Sequence, residues 1–256
     1  MKMHNHPSKQ RYRATETGAT LVELIYVLPL FFILLFGIVE MSYVYRSKAT
    51  LNNATFEAAR LGSLKNADRG EMRQALANGM MPLFVDGDKS VAGLGRAYVE
   101  ARAFEASLNV AAIGDLDTVE IISPNLRVFQ SFKRRIPVLD ERRQRVSYVD
   151  AIPNDNLQFR ETRTRRIRIG SQNLDINIQD ANLLKIKTLW CHRLKVPGLR
   201  DLAYRTILRG FFGLGSSAEQ RSCNALGAAT GSVYVAITAH SIVRMQSPIY
   251  RGGLEN

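Results

Sequence analysis

Leu24-Ile25-Tyr26-Val27-Leu28-Pro29-Leu30-Phe31-Phe32-Ile33-Leu34-Leu35-Phe36-Gly37-Ile38-Val39 is an uncharged run of 16 residues, closed by Glu23 on one side and Glu40 on the other. As a helix it is ~24 Å long, which alone falls short of a bilayer. The mild residues Ala19 to Val22 and Met41 to Tyr45 extend the apolar stretch to ~27 residues, enough to cross hydrocarbon with tilt. Glu40 falls beside Tyr43, Tyr45 and Arg46, the aromatic and basic residues expected at a membrane interface. Glu23 lies one turn inside the opposite end, where a carboxylate is costly and marks a functional site.

Upstream, Met1 to Thr17 is short, polar and basic, with Lys2, Lys9, Arg11 and Arg13 against the single acid Glu16. Nothing in it forms an apolar face, so it is expected to be an unfolded leader, and His4 and His6 carry no ligand spacing. Its cations set directly before the apolar run place it on the cytoplasmic side and everything after the run outside. A secretory signal peptide is the competing reading. The run is too long for one, and no small-x-small cleavage site follows it. Pro29 removes one helical hydrogen bond, which membrane helices tolerate.

Downstream, the helix is expected to continue to about Asn66 with a different surface. Val44, Ser47, Leu51, Ala54, Ala58 and Leu61 recur at three- and four-residue spacing, while Arg46, Lys48, Asn52, Glu57 and Arg60 take other faces. Such a narrow stripe of small residues requires a partner that packs closely on it.

Gly18, four residues and then Glu23 ahead of an apolar helix resembles the processing site of type IV pilin-like precursors, which a prepilin peptidase cuts after the glycine. Glycine suits that position because a side chain would crowd a protease gripping the backbone. More narrowly, Thr17-Gly18-Ala19-Thr20-Leu21-Val22-Glu23-Leu24, Leu28-Pro29, Phe36-Gly37-Ile38-Val39-Glu40, Leu51-Asn52-Asn53-Ala54 and Glu57-Ala58-Ala59-Arg60 resemble the amino-terminal domain of TadE-like proteins. These are minor pilins, or pseudopilins, of the tight adherence (Tad/Flp) pilus system. The chain departs from the pilin pattern in having Thr17, not a basic residue, before Gly18.

The resemblance implies cleavage between Gly18 and Ala19. The new α-amine of Ala19 would then pair with Glu23 of a neighbouring copy, turning two isolated charges in lipid into one hydrogen-bonded pair. It implies as partners a prepilin peptidase, other pilin-like subunits, the Tad inner-membrane assembly platform and the inner membrane itself. The expected place is the bacterial inner membrane, single pass, with a periplasmic carboxy-terminal domain that reaches the pilus or cell surface after assembly. Leu24, Pro29, Phe36 and Gly37 belong to the transmembrane segment.

The chain has 256 residues, of which 46% are hydrophobic and 23% charged, so about 190 remain for a head with its own core once anchor and stem are set aside. The expected division is a leader over 1–18, a transmembrane helix and stem over 19–66, and an α+β head over 67–256. The formal charge is +12; the leader contributes four cations and one acid, and Glu23 and Glu40 subtract two, leaving about +11 beyond Tyr45. A surface so basic suits solubility or contact with DNA, anionic lipid or acidic polysaccharide. Cys191 and Cys223 are the only cysteines and form one candidate disulfide, worth about 3 to 4 kcal/mol for a loop of ~30 residues. Two buried thiols are the alternative.

Within the head, helices are expected over 70–81 and 91–108, separated by Pro82 and the Asp86-Gly87-Asp88 turn, whose spacing lacks the glycine and glutamate of a calcium loop. Thr118 to Ile122 and Leu126 to Phe129 alternate like a hairpin around Ser123-Pro124-Asn125. The region 133–168 is crowded with arginine, has no sustained apolar face, and is expected to be a long exposed insertion. Arg134, Arg135, Arg163, Arg165 and Arg166 are its candidate anion-binding residues, with Phe129, Phe132, Tyr148 and Phe159 as stacking groups. Leu174 to Cys191 alternates through Leu184, Ile186, Thr188 and Trp190 as a strand. Its Ala181-to-Ile186 portion and the downstream cysteine also resemble longer TadE-like proteins. Leu199 to Phe212 is an amphipathic helix, and Ser232 to Arg244 a long strand. The segments near 118–130, 182–194 and 232–244 should share one antiparallel sheet.

No glycine-rich phosphate loop, His-Glu-x-x-His or Gly-x-Ser-x-Gly is present, and His240 in the last strand has no assignable nucleophile or acid. The sequence therefore points away from an enzyme, a cofactor or a metal centre. Against the pilus reading stands an uncleaved single-pass protein that displays the basic region to DNA or another anionic polymer.

Overall fold

The computed structural model describes residues 17–85, 87–88, 90–111, 117–140, 145–169, 172–196 and 217–254. Residues 1–16 of the leader and the amphipathic segment over 199–212 lie outside the described residues. One helix, α1 (Thr17–Leu64), runs without a break through the apolar run and the predicted stem, Pro29 included. Over 24–39 nearly every side chain is exposed, and from Ser47 onward one stripe is buried: Ser47, Leu51, Ala54, Thr55, Ala58, Ala59 and Ser63. An α-helix can satisfy its own backbone in either solvent, so the change of surface needs no change of backbone.

The stripe is covered by two elements. Helix α2 (Arg69–Met80), N-capped by Asp68, folds back along α1 after a tight turn at Asn66 and Ala67, both with φ near +60°. The left-handed turn is held from outside: Asn66 N donates to Ser247 Oγ at 2.8 Å and Asn66 Nδ2 to the Pro248 carbonyl at 2.6 Å. The two helices approach so closely that a Cβ on Gly79 would lie 2.5 Å from the Cβ of Ala54. Gly79 and Ala54 are thus the small pair that the stripe required.

A three-stranded antiparallel sheet lies along the rest of the stripe, formed by β1 (Val119–Ser123), β6 (Leu183–Arg193) and β7 (Tyr234–Arg244) in the order β1-β6-β7. These are the three segments expected to share a sheet. On β6, Leu184, Ile186, Thr188, Trp190 and His192 are buried at period two, and Leu189 and Cys191 of the opposite face are buried as well. Helix α3 (Val91–Ala111) packs beside α2, and α6 (Ala218–Thr230) covers β7. Cys191 and Cys223 join β6 to α6 through a disulfide, with Cα atoms 5.5 Å apart. The molecule is α+β, a head on a helical stem.

The structure corrects two expectations and fills in a third. Leu126 to Phe129 is not a strand. Asn125 caps Val128 N, and the chain turns into a short helix, α4 (Leu126–Phe132), that buries Val128, Phe129 and Phe132. The 133–168 region, expected as a long exposed insertion, is mostly exposed where described and carries strands: β2 (Arg134–Asp140) and β3 (Arg145–Ile152) pair with each other, and β3 pairs with β8 (Ile249–Tyr250). The region also contains β4 (Arg165–Ile169), paired with β5 (Gln172–Ile176). The alternation from Leu174 onward is interrupted at a capping box formed by Asn177 and Asp180, where a single turn, α5 (Ile178–Ala181), separates β5 from β6.

Candidate functional site

Two regions carry the functional candidates: the lower end of α1, and the joint where α1 leaves its apolar run and meets the sheet. In the first, Gly18 and Ala19 lie on α1 at the start of the described residues. Glu23 is exposed, as are Leu24, Pro29 and Phe36 above it. A Cβ on Gly37 would meet nothing within 4 Å.

The joint is built from one face of α1 and the end of β6. Glu40 and Ser47, seven residues or two helical turns apart, point the same way. Glu40 is not a lipid-facing interfacial acid: only 6% of it is exposed. Its carboxylate accepts from Lys195 N at 3.1 and 3.2 Å and from Val196 N at 2.7 Å, so it caps the backbone where β6 ends. Between the two positions lies His192, the last buried residue of β6. The Ser47 hydroxyl and His192 Nδ1 share a hydrogen bond of 2.8 Å, and Nε2 is 3.6 Å from Glu40 Oε1. A carboxylate beside Nε2 favours the tautomer protonated there, with Nδ1 accepting from Ser47. Burial pushes the His192 imidazole below its ordinary value, against the opposing pull of Glu40. The ring is held neutral.

Further up, the same contact continues in polar steps. Lys48 Nζ donates to the Thr238 carbonyl, and Thr55 Oγ1 and Thr188 Oγ1 share a buried bond of 2.6 Å. Gln246 N then donates to the Ser63 carbonyl at 3.0 Å. Acid, imidazole and hydroxyl in one line resemble hydrolytic machinery in composition only. Ser47 sits mid-helix, where neighbouring N–H groups are spent on helical bonds and cannot stabilise an oxyanion. What this arrangement does is fix the height and rotation of the head on its stem.

The partners of His192 are not legible in the sequence, because they lie 145 and 152 positions earlier and no local spacing reveals them. His240, the histidine considered as a general base, is exposed on β7, opposite Lys187. Among the described residues no cluster of His, Cys, Asp and Glu could hold a metal ion.

The five candidate arginines separate. Arg134, Arg163 and Arg165 line one cleft of about 900 Å³ together with Lys133, Arg160 and Glu161. Arg165 lies over the Phe132 ring at 5.2 Å and donates to the Ser131 carbonyl. Arg166 instead pairs with Asp175 across the β4–β5 hairpin at 3.2 Å, and Arg135 stands opposite Asp150 in β3. Of the proposed stacking groups, Phe129 and Phe132 are core, and only Tyr148 and Phe159 are exposed.

Residues 18–60 match the family described as TadE-like protein. The matched stretch is α1 from Gly18 nearly to the end of the buried stripe, and it relates the chain to the Tad pilus. No curated protein and no solved structure gives a match. The head is therefore understood from its own residues.

Proposed function

We propose that the chain is a minor pilin or pseudopilin-like subunit of a tight adherence pilus. It is inserted with residues 1–18 in the cytoplasm and the head of 67–256 in the periplasm, and a prepilin peptidase cuts it between Gly18 and Ala19. The observation that carries this reading is the division of α1. Residues 24–39 are exposed all round, Glu23 stands exposed at their start, and the residues matched to the TadE-like family cover this segment. A simple anchor needs neither Gly18 nor Glu23. An assembling subunit uses both, because the freed Ala19 amine is a partner for Glu23 of the next copy within the bilayer. The head, clamped to the stem through Glu40 and His192, would then move with the helix as one body when the helix joins a bundle of pilin-like subunits.

Amino-terminal mass spectrometry of the protein from its native membranes, with and without the prepilin peptidase, tests the reading. A chain beginning at Ala19 only when the peptidase is present is the expected result. An intact leader in both strains overturns it and leaves a single-pass protein displaying the cleft of Arg134, Arg163 and Arg165 to an anionic polymer. Given cleavage, Glu23→Leu should keep the protein in the membrane and remove it from sheared pilus fractions. Normal incorporation would sink the pairing mechanism.

A further inference from the structure

Beside the clamp is a cavity of about 320 Å³ that the joint does not fill. Its walls are aromatic: Phe84, Phe104, Trp190 and Tyr234 line it, with the Phe104 and Trp190 rings 5.1 Å apart. Its cations are Arg46, Arg193 and Lys195, and the lining includes one acid besides, Glu100. The cavity thus has a cationic excess of two.

The height of these groups decides what they can meet. Tyr43 and Arg46 follow the last apolar residue, Val39, by four and seven positions, or ~6 and ~10 Å along the helix axis. With 24–39 in hydrocarbon, that is the depth of phospholipid headgroups. Lys195 Nζ stands 5.3 Å from the Tyr43 ring centroid, which holds the ammonium at the same level. Arg46 and Arg193 are exposed, and among the described residues neither has a carboxylate within ion-pair distance. Two free guanidinium groups match the oxygens of a phosphodiester better than a point charge does.

We propose that this cavity binds one anionic phospholipid of the leaflet on the head side. Its phosphate lies between Arg46 and Arg193, and its glycerol and first acyl carbons rest on the aromatic wall. A second copy of the chain is a poorer occupant, since like cations would face each other across the contact and the volume suits a small group rather than a helix. The inference needs only that the apolar stretch built around 24–39 cross a bilayer. It stands or falls separately from cleavage at Gly18.

The full chain is released from bilayers of equal phosphatidylglycerol and phosphatidylcholine and weighed by native mass spectrometry. The expected result is one phosphatidylglycerol retained in preference to phosphatidylcholine, with retention lowered about 30-fold in R46A/R193A. K133A/R134A, which removes cations from the far cleft, should retain it fully. R46K/R193K keeps the charge and guards against a folding defect; it should fall between. Equal retention of both lipids, or undiminished retention by R46A/R193A, overturns the proposal. So would inorganic phosphate that displaces the lipid and itself stays bound, which would assign the cavity to a free anion.

Discussion

Where β6 ends beside the apolar run, Glu40 and His192 are 6% and 5% exposed, Glu40 accepts from the backbone of Lys195 and Val196, and His192 shares a hydrogen bond with Ser47. At the opposite end of the head, in the β4–β5 hairpin, Arg166 and Asp175 form their pair with side chains 75% and 56% exposed. Both regions are rich in charge, yet only the first has removed it from water. A buried carboxylate has no solvent to fall back on, so its position is dictated by the N–H groups it accepts from. An exposed pair exchanges with water at little cost and dictates almost nothing. The joint should therefore be rigid and intolerant, and the hairpins should vary freely.

The largest effect should come from the disulfide, which ties β6 to α6 just beside the joint. Cys191 and Cys223 close a loop with a sequence separation of 32, so C191S/C223S should lose about 3 to 4 kcal/mol. Denaturant unfolding of the full chain in detergent checks this. A loss under about 1 kcal/mol would mean that the α1 contact alone holds β6.

Glu40→Ala comes next, at about 2 to 3 kcal/mol, because it leaves Lys195 N and Val196 N without their acceptor and removes the carboxylate beside His192. Glu40→Gln keeps one acceptor oxygen and should recover part of the loss. If Glu40→Ala were silent, the clamp would not exist as described, and the contrast between the two ends of the head would collapse.

The pH dependence sharpens the same contrast. His192 is held below its ordinary value by burial, whereas in the unfolded chain it titrates near 6.5. As pH falls through about 6.5 the unfolded chain takes up a proton that the folded chain refuses, so stability present above that pH is lost below it. The slope for one proton is at most about 1.4 kcal/mol per pH unit. Melting temperatures between about pH 7.5 and 5.5 should fall in the wild type and fall less in His192→Gln. Parallel curves would show that other groups govern the acid sensitivity.

What the sequence disclosed follows the same physical line. The apolar run, the small stripe from Ser47 to Ala58 and the alternation of Leu184, Ile186, Thr188 and Trp190 are periodic, and periodicity is written locally. The helix at Leu126 to Phe132 was misread because a segment this short satisfies either period; Asn125 was the overlooked signal, a side chain placed to cap Val128 N. The arginines of 133–168 hid two hairpins because strands exposed on one or both faces need no apolar run. Glu40 looked interfacial, since its burial depends on backbone that lies 155 residues away. The joint was illegible for one reason: its parts meet only after β6 has been laid along α1.

The smallest effect lies at the far end and guards the comparison from the other side. Leu139, on β2, is 62% exposed and stands opposite Val146 in the register of the β2–β3 hairpin. Its side chain loses little on contact with water because it is already there, and its strand is held by backbone bonds that serine can make equally well. Leu139→Ser should therefore change stability by no more than about 0.5 kcal/mol. Lower aggregation is expected as well, since a pair of exposed apolar residues on a hairpin is a surface that other chains can find. A loss of about 2 kcal/mol in the monodisperse protein would mean that the hairpin is packed against something the isolated chain already carries. The free end of the head would then be as constrained as the joint.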